Sequence, residues 1–458
     1  MKKHLLVAML AAASLLVGLG SWTESARAQI AVKNQGYVPF SDAPIHYRTE
    51  KLSDPLTKLK SRLERGEIKL EYDPAHGYLQ SILKELKIPA SSQTLVFSKT
   101  SFQYKKISPQ SPRALYFNDD VYVGQVHDGK VLEFISFDAN LGAVFYILDE
   151  QKSELPKLER AELDCTQCHV AAGTRNVPGV LVRSIFTTPT GGQAPKTASY
   201  ITGHESPLSE RWGGWYVTGQ HGKQVHMGNV VVQDKDRPEQ VDRVAGANVA
   251  SLAKQFDTSA YLIPDSDIVA HMVLAHQTQM HNLITLTNYQ TRIALYNQGL
   301  SQSPTGGSRV VAKLPFKSEL DDVRAQYEAP AEQLVRYLLF ADEAQLSDPV
   351  VGTSTFVRDF SLLGPRDSKG RSLRDFDLQK RIFKYPCSYL IYSESFDALP
   401  EPAKTYVYHR LFEVLTGRDQ SPTFARLSEE DRRAIFEILL ATKPGLPTEW
   451  KVFTKQAK

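Results

Sequence analysis

Apolar and polar positions alternate along the chain between positions 94 and 148. Short runs rich in Val, Ile, Phe and Tyr, such as 130–138 (KVLEFISFD) and 142–148 (GAVFYIL), are separated by Asp, Gly and Asn. This alternation is typical of half-buried strands. His127-Asp128-Gly129 has the composition of a hairpin turn. The pattern therefore predicts an antiparallel sheet.

Helical spacing precedes the predicted strands. Over 51–66 the apolar positions fall on one helical face, at Leu52, Leu56, Leu59 and Leu63. Asp54 and Pro55 suit a helix start, and Gly66 suits its end. A second helix is predicted near 78–86.

Helical spacing returns from Asp265 and continues to the C-terminus. The segment 265–267 can cap a helix that reaches about Leu295. Pro330 is expected to interrupt the next helical stretch, because proline lacks the backbone N–H. Ser428 and Asp431 form a capping box. Further helices are predicted over 318–328, 331–345, 401–416 and 428–441. The fold class expected is α+β, with a β-rich N-terminal region and a mainly α-helical C-terminal region.

The N-terminus has the pattern of a secretory signal peptide. Lys2 and Lys3 precede an apolar run over 5–20, and Ala26-Arg27-Ala28 fits a small-x-small cleavage site. An uncleaved membrane anchor is the alternative, although the run is short for crossing a bilayer. We expect cleavage near Ala28 and a periplasmic or otherwise exported protein, with no stable membrane span in the mature chain.

Composition excludes several classes of protein. The chain has 458 residues, 42% of them hydrophobic and 23% charged, with a formal net charge of +3. These values argue against a disordered chain and against a strongly basic nucleic-acid binder. Three cysteines are too few for a disulfide scaffold. Two of the three, however, lie three positions apart and precede a histidine.

The motif Cys165-Thr166-Gln167-Cys168-His169 is the attachment signature of c-type haem. At this spacing each thiol can add to one vinyl group of a single macrocycle, and the adjacent imidazole can bind the iron. With 3 Cys and 12 His in 458 residues, about 0.0005 chance matches are expected.

Other cysteine chemistries share part of this pattern. A thioredoxin-type redox pair requires a strand before the motif, and 156–164 (PKLERAELD) lacks a buried-strand pattern. A zinc site requires further ligands, and only Cys387 remains. A plain disulfide accounts for the cysteines but not for His169. Cys387 lies in an apolar setting (IFKYPCSYLIYS), which indicates a buried thiol.

At Cys165, Cys168 and His169 the sequence resembles the c-type cytochromes. The chain also resembles large, exported, single-haem bacterial proteins. The resemblance implies one covalent haem c on the two cysteines, with His169 as proximal iron ligand. The expected organisation is a signal peptide over 1–28, a β-rich domain over 29–155, an irregular, cytochrome c-like haem-binding region over 156–262 and a helical region over 263–458.

The second axial iron ligand is expected to be Met227. It follows His169 by 58 residues, a separation similar to that in small soluble cytochromes c, and Gly228 beside it suits a loop over the haem. The alternative is a methionine that fills a gap in the core.

Several histidines are alternative axial ligands. Three lie downstream of the motif in turn-like contexts, at His204, His221 and His226. The fourth is His276, which shares one helical stripe with Met272 and Met280 at i, i+4 and i+8. Such a stripe is more often part of a core than of a cofactor wall.

Three functions are compatible with these features. The first is electron transfer by an exported mono-haem cytochrome with a redox partner protein. The second is a peroxidase-like haem oxidoreductase, since the chain is longer than a carrier requires; bacterial dihaem peroxidases, however, carry two CxxCH motifs. The third is a haem-based binding or sensing module.

Overall fold

The chain combines one large antiparallel sheet with helices, as the α+β prediction requires. A computed structural model describes residues 36–300 and 317–456. About 35% of the chain is helical and 13% is in strands. The predicted leader over 1–28 lies outside the described residues, as does the cleavage site near Ala28.

The main sheet is antiparallel throughout, in the order β6-β5-β4-β3-β2-β1-β9. Its strands are β1 (Thr94–Val96), β2 (Arg113–Phe117), β3 (Val121–Gln125), β4 (Val131–Asp138), β5 (Gly142–Asp149), β6 (Leu158–Arg160) and β9 (Trp215–Tyr216). The first five are the predicted strands. Asp128, in the β3–β4 turn, has φ 55°, as the hairpin prediction requires.

Two strands of the sheet lie beyond residue 155. β6 pairs with β5, and β9 pairs with β1 at the opposite edge. The sheet therefore crosses the boundary predicted between 29–155 and 156–262. A separate hairpin is formed by β7 (Arg183–Ile185) and β8 (Ser199–Ile201). The rest of 156–262 consists mostly of turns and irregular segments.

Helices cover both faces of the main sheet. One face packs against α1 (Pro55–Glu64) and α2 (Leu79–Glu85), through Leu56, Leu59 and Leu63 among others. Asp54 caps α1 by accepting from the backbone N–H groups of Leu56 and Thr57. Both helices were predicted. The opposite face carries the largest hydrophobic core.

That core is built around α4 (Ile268–Asn297), a helix of 30 residues. Asp267 caps it, accepting from the N–H groups of Val269 and Ala270. Every side chain from Ile268 to Tyr289 is buried, which is typical of a helix enclosed on all sides. The long α4 fixes the position of the segment that follows the CxxCH motif.

The predicted interruption at Pro330 is wrong. A single helix, α5 (Lys317–Leu338), runs through this proline. A proline inside a helix costs about 3 kcal/mol. Full burial of Leu334 and Leu338 beyond it recovers about 1.5–3 kcal/mol per side chain, so the packing outweighs the lost hydrogen bond.

The remaining C-terminal elements are helical. They are α6 (Phe356–Ser361), α7 (Glu394–Asp397), α8 (Glu401–Leu415), α9 (Glu429–Thr442) and α10 (Thr448–Gln456). The capping box of Ser428 and Asp431 at the start of α9 is confirmed. Across 36–300 and 317–456, no helix has both the length and the apolar character needed to span a membrane.

Candidate functional site

The CxxCH motif lies on a short helix at the edge of the main sheet. Helix α3 (Glu162–His169) contains all three motif residues and directly follows β6. Glu162 in its first turn forms an ion pair with Arg48 at 2.7 Å. None of its side chains is fully buried. The expectation that no strand precedes the motif is wrong, because backbone pairing with β5 makes 158–160 an edge strand despite its charged sequence.

His169 is held at two points by Gly179. The backbone N–H of Gly179 donates to the His169 carbonyl at 3.0 Å, and Nδ1 of the imidazole lies 2.9 Å from the Gly179 carbonyl oxygen. A carbonyl only accepts, so the proton is on Nδ1. Burial lowers the pKa of His169, which keeps the ring neutral at pH 7. Nε2 consequently carries a lone pair and has no hydrogen bond to the described residues.

Helix α4 fixes the position of Gly179. Asn282 accepts from the Val180 N–H at 3.0 Å and donates to the Val180 carbonyl at 2.7 Å. A Cβ atom at Gly179 would collide with Asn282 Oδ1 and crowd Thr174. Thr174 in turn donates to the His169 carbonyl at 3.1 Å. The imidazole orientation is therefore set by groups that are anchored in the core.

The two motif cysteines differ in exposure. Cys168 is exposed, whereas Cys165 is half-buried and packs at the edge of the large core. Burial and the nearby Glu133 and Asp164 carboxylates raise the pKa of Cys165 to about 11. Its thiol is protonated at neutral pH, unlike the low-pKa thiol of a redox pair.

A half-buried apolar surface lies beside Cys165 on the main sheet. Side chains on one sheet face alternate along each strand, which places Leu115 of β2, Ile135 of β4 and Ile147 of β5 on the face that also carries Phe145. These three aliphatic residues, which we call the shelf, are half-buried. The Phe145 ring lies 5.1 Å from the His169 ring, centroid to centroid. The shelf therefore adjoins the motif helix.

An ion pair borders the shelf. Arg113 and Glu133, on the same sheet face, form a salt bridge, and both contribute to the electrostatic environment of His169. Arg113 lies over Gly124, where a Cβ atom would collide with the guanidinium. The Arg113 Nε atom is buried and has no hydrogen-bond partner. The site thus combines an apolar surface with a nearby guanidinium.

Exposed apolar side chains surround this region. Leu163 on α3 is 65% exposed. Ser101 and Gln103 bind the Glu133 carboxylate at 2.6 and 2.9 Å, and the loop they belong to carries Phe102 and Tyr104, which are 59% and 47% exposed. Exposed apolar groups close together are typical of surfaces that contact a partner or ligand.

Met227 lies in a different part of the molecule. Its side chain is buried in a small cluster with Phe186, Ala194 and Val232. The sulfur accepts a hydrogen bond from Ser184 at 3.7 Å. These contacts are those of a core-filling methionine, and none of them involves the motif helix.

His204 and His276 face each other in the core. Their Nδ1 atoms are 2.8 Å apart, and the His276 Nε2 atom lies 2.8 Å from the Ser388 hydroxyl. Phe340 stacks on both rings. Burial lowers the pKa of His276 to about 3 and that of His204 well below its ordinary value, so both rings are neutral. Met272 and Met280, on the same stripe of α4 as His276, are also buried.

His221 and His226 lie together in another part of the core. Their ring centroids are 4.8 Å apart. His221 Nε2 accepts from the Asn248 N–H and His226 Nδ1 accepts from the Gly228 N–H, each at 3.0 Å. The structure therefore pairs the four candidate histidines with one another, and none of these contacts involves His169.

Cys387 is fully buried, as predicted, and burial raises the pKa of its thiol to about 12.

No group of three or more His, Cys, Asp or Glu side chains within 36–300 and 317–456 is arranged to hold a metal ion. A cavity between Phe117, Gln277, Phe356 and Phe360 lies apart from the motif contacts described above.

Sequence reasoning missed the residues that support the motif. Gly179, Asn282 and the shelf are distant from it in the chain, and no local spacing connects them. His46, which precedes the motif in the chain, was not among the predicted ligands. Its neighbours Tyr47 and Arg48 contact the region around α3 through Arg160 and Glu162.

No protein-family model, curated protein or solved structure matches this chain.

Proposed function

We propose that this chain is an exported mono-haem c-type cytochrome that acts in electron transfer. Cys165 and Cys168 would each hold one vinyl carbon of the same haem through a thioether, and His169 would hold the iron. The observation that carries the proposal is the state of His169. Directly after a CxxC pair, its Nδ1 is committed to a backbone carbonyl while Nε2 is left with a lone pair.

The Gly179 carbonyl and Asn282 are positioning groups in this proposal. Metal-binding histidines commonly donate their second ring N–H to a carbonyl or carboxylate, which fixes the tautomer and the ring plane. Gly179 supplies that acceptor, and Asn282 holds the adjacent peptide in place. The imidazole is therefore oriented before any ligand binds.

The shelf is the proposed apolar support for the macrocycle. Leu115, Ile135 and Ile147 provide aliphatic surface beside the half-buried Cys165. Burying such side chains against an apolar ligand is worth about 25 cal/mol per Å². Arg113 at the border of the shelf can pair with a carboxylate of the ligand. Haem bound here supplies reversible one-electron chemistry.

Electron transfer is supported by the position of the motif at the surface. Cys168 is exposed and α3 has no fully buried side chain, so a group attached there stays close to solvent. The exposed Leu163, Phe102 and Tyr104 offer apolar contacts to a docking redox protein. The predicted leader supports assembly outside the cytoplasm.

A redox disulfide is the competing function. The strand–helix order of β6 and α3 favours it. The raised pKa of Cys165 opposes it, because the thiolate is the reactive species. A redox disulfide would also leave the arrangement of His169 without a role.

The test is haem retention in cysteine variants. The full chain, with its own leader, is expressed in a bacterium that assembles c-type cytochromes, and acid-stable haem per chain is measured. We expect one haem in the wild type and in the matched control Cys387→Ala, and none in Cys165→Ala/Cys168→Ala. Far-ultraviolet circular dichroism should show the same fold in the wild type and the double variant, because neither motif cysteine is fully buried. The same measurement checks that Cys387→Ala, which removes a buried thiol, is folded. Acid-stable haem in the double variant, or none in the wild type, would contradict the proposal.

A further inference from the structure

The mature chain offers few side chains that could complete the coordination of an iron bound to His169. Methionine and histidine are the usual partners opposite a proximal histidine. Beyond position 28 the chain has only the methionines Met227, Met272 and Met280, and its histidines begin at His46. The segments 29–35, 301–316 and 457–458 contain neither residue type. All of these candidates therefore lie in the part of the chain that the structure describes.

The three methionines are part of the core. Met227 has its sulfur against Ser184 in the cluster of Phe186 and Val232. Met272 and Met280 are enclosed on α4. To reach His169, any of these side chains would have to leave a packed interior and open a cavity there.

The core histidines are equally constrained. Six of them are at most 3% exposed: His204, His221, His226, His271, His276 and His281. His204 and His276 bind each other, while His271 Nε2 contacts the Tyr216 carbonyl at 2.9 Å. His281 lies edge-on to Phe137, 3.8 Å between centroids. Neither ring nitrogen of His281 has a hydrogen bond to the described residues, but the ring is enclosed by Tyr122 and Phe137. To bind an iron at His169, any of the six rings would have to leave the packed core.

The other histidines lie nearer the surface. His127 is in the β3–β4 turn and His409 on α8, and each is about half exposed. His76 lies in the turn before α2, and His46 precedes the segment that contacts α3. His46 has an interaction of its own within the fold. Its chain neighbours Tyr47 and Arg48 approach the motif helix through Arg160 and Glu162.

We propose that the position opposite His169 takes no side chain of this protein and is open to a small neutral ligand of the carbon monoxide and nitric oxide class. This inference rests on the proposed function, because it requires an iron bound by His169. The shelf agrees with it, since the aliphatic side chains of Leu115, Ile135 and Ile147 supply no metal ligand. The site is then a ligand-binding redox centre.

Optical spectroscopy of the haem-loaded protein tests this directly. The protein is reduced with dithionite without oxygen, its spectrum is recorded, and carbon monoxide is added. We expect high-spin, five-coordinate bands that convert completely to a low-spin carbon monoxide complex. Met227→Leu, which nearly conserves volume, and His46→Gln should give the same spectra before and after the gas is added.

A low-spin spectrum that carbon monoxide leaves unchanged would overturn the inference while leaving the proposed function intact. If Met227→Leu or His46→Gln then became reactive to carbon monoxide, that residue would be the sixth ligand. Absence of covalent haem from the purified wild type would instead contradict the proposed function itself, and with it this inference. The pyridine haemochrome spectrum, measured on the same sample, distinguishes the two failures.

Discussion

His169 and the core histidines of α4 show how differently one residue type is used in this molecule. His169 lies at the end of a short helix with no fully buried side chain, and only one of its ring nitrogens is hydrogen-bonded. His276 lies in the middle of a helix of 30 residues, with both nitrogens engaged and aromatic rings around it. Both rings are neutral, yet of the two only His169 has a ring nitrogen without a hydrogen bond to the described residues. His281, also on α4, has neither ring nitrogen hydrogen-bonded, but its ring is enclosed by Tyr122 and Phe137.

The difference teaches that a neutral, low-pKa histidine is not by itself a sign of a functional site. Burial is the main cause that lowers the pKa of His226, His271 and His281 to about 3. What distinguishes His169 is the combination of adjacent cysteines, a fixed tautomer and the shelf. The comparison between the motif region and the histidine-rich core can be tested in each region separately.

The largest expected effect is loss of stability in mild acid, and it belongs to the core. Unfolded histidines take up protons near pH 6.5, whereas five in the fold do not: His204, His226, His271, His276 and His281. The unfolded state therefore binds more protons as the pH falls through about 6.5 towards about 3, and the free energy of unfolding decreases.

Four carboxyl groups oppose this trend, among them Glu210, whose pKa burial raises. Burial raises the pKa of Asp120 and Glu343 to about 7 and that of Glu150 to about 6, so protonation favours the folded state there. The histidines whose pKa is lowered outnumber the carboxyls whose pKa is raised, so the unfolded state still binds more protons near pH 5. Each net proton lowers the free energy of unfolding by about 1.4 kcal/mol per pH unit. Urea unfolding at about pH 7 and about pH 5 measures the decrease. His409→Gln, in an exposed position, should change nothing, and equal stability at the two pH values would show that the core histidines are not neutral.

A smaller effect is expected when side chains are truncated in the two regions. Leu283→Ala on the buried α4 should lower the free energy of unfolding by about 2–5 kcal/mol, because a cavity forms in the core. Leu163→Ala on the motif helix should change it by less than about 0.5 kcal/mol, since that side chain is exposed. Chemical denaturation gives both values. Similar losses in the two variants would mean that α3 is packed as tightly as the core.

An effect on stability smaller than that of Leu283→Ala, but one that also changes the site, is expected for Gly179→Ala. The new methyl group collides with Asn282 and displaces the carbonyl that holds His169, at a cost of about 1–3 kcal/mol. We expect altered axial-ligand bands in the spectrum of the haem-loaded protein. Gly192→Ala is the control, because its Cβ would meet only Thr188 at an ordinary 3.5 Å. An unchanged spectrum in Gly179→Ala would remove Gly179 from its positioning role.

Local sequence signals predicted much of the fold. The alternation in 94–148 predicted five strands, and Asp54, Asp267 and Ser428 marked helix starts. The prediction at Pro330 was wrong because packing along α5 outweighs a local preference. Strands β6 and β9 have two or three residues each and exist through pairing with distant strands, which no local pattern encodes.

The sequence predicted only the part of the candidate site whose residues are adjacent in the chain. Cys165, Cys168 and His169 are recognisable because the chemistry requires them side by side. The acceptor for Nδ1 lies 10 residues away, and Asn282 and the shelf are still farther along the chain. The axial candidates were chosen by spacing, and spacing gives no information about burial.

The most direct test of the central proposal is the mass of tryptic peptide 161–175, which contains both motif cysteines and His169. The peptide should be prepared from protein that has been exported by a bacterium able to assemble c-type cytochromes. The account predicts a peptide whose mass is increased by one complete haem. A peptide that carries two free thiols or an internal disulfide, and no haem, would contradict it.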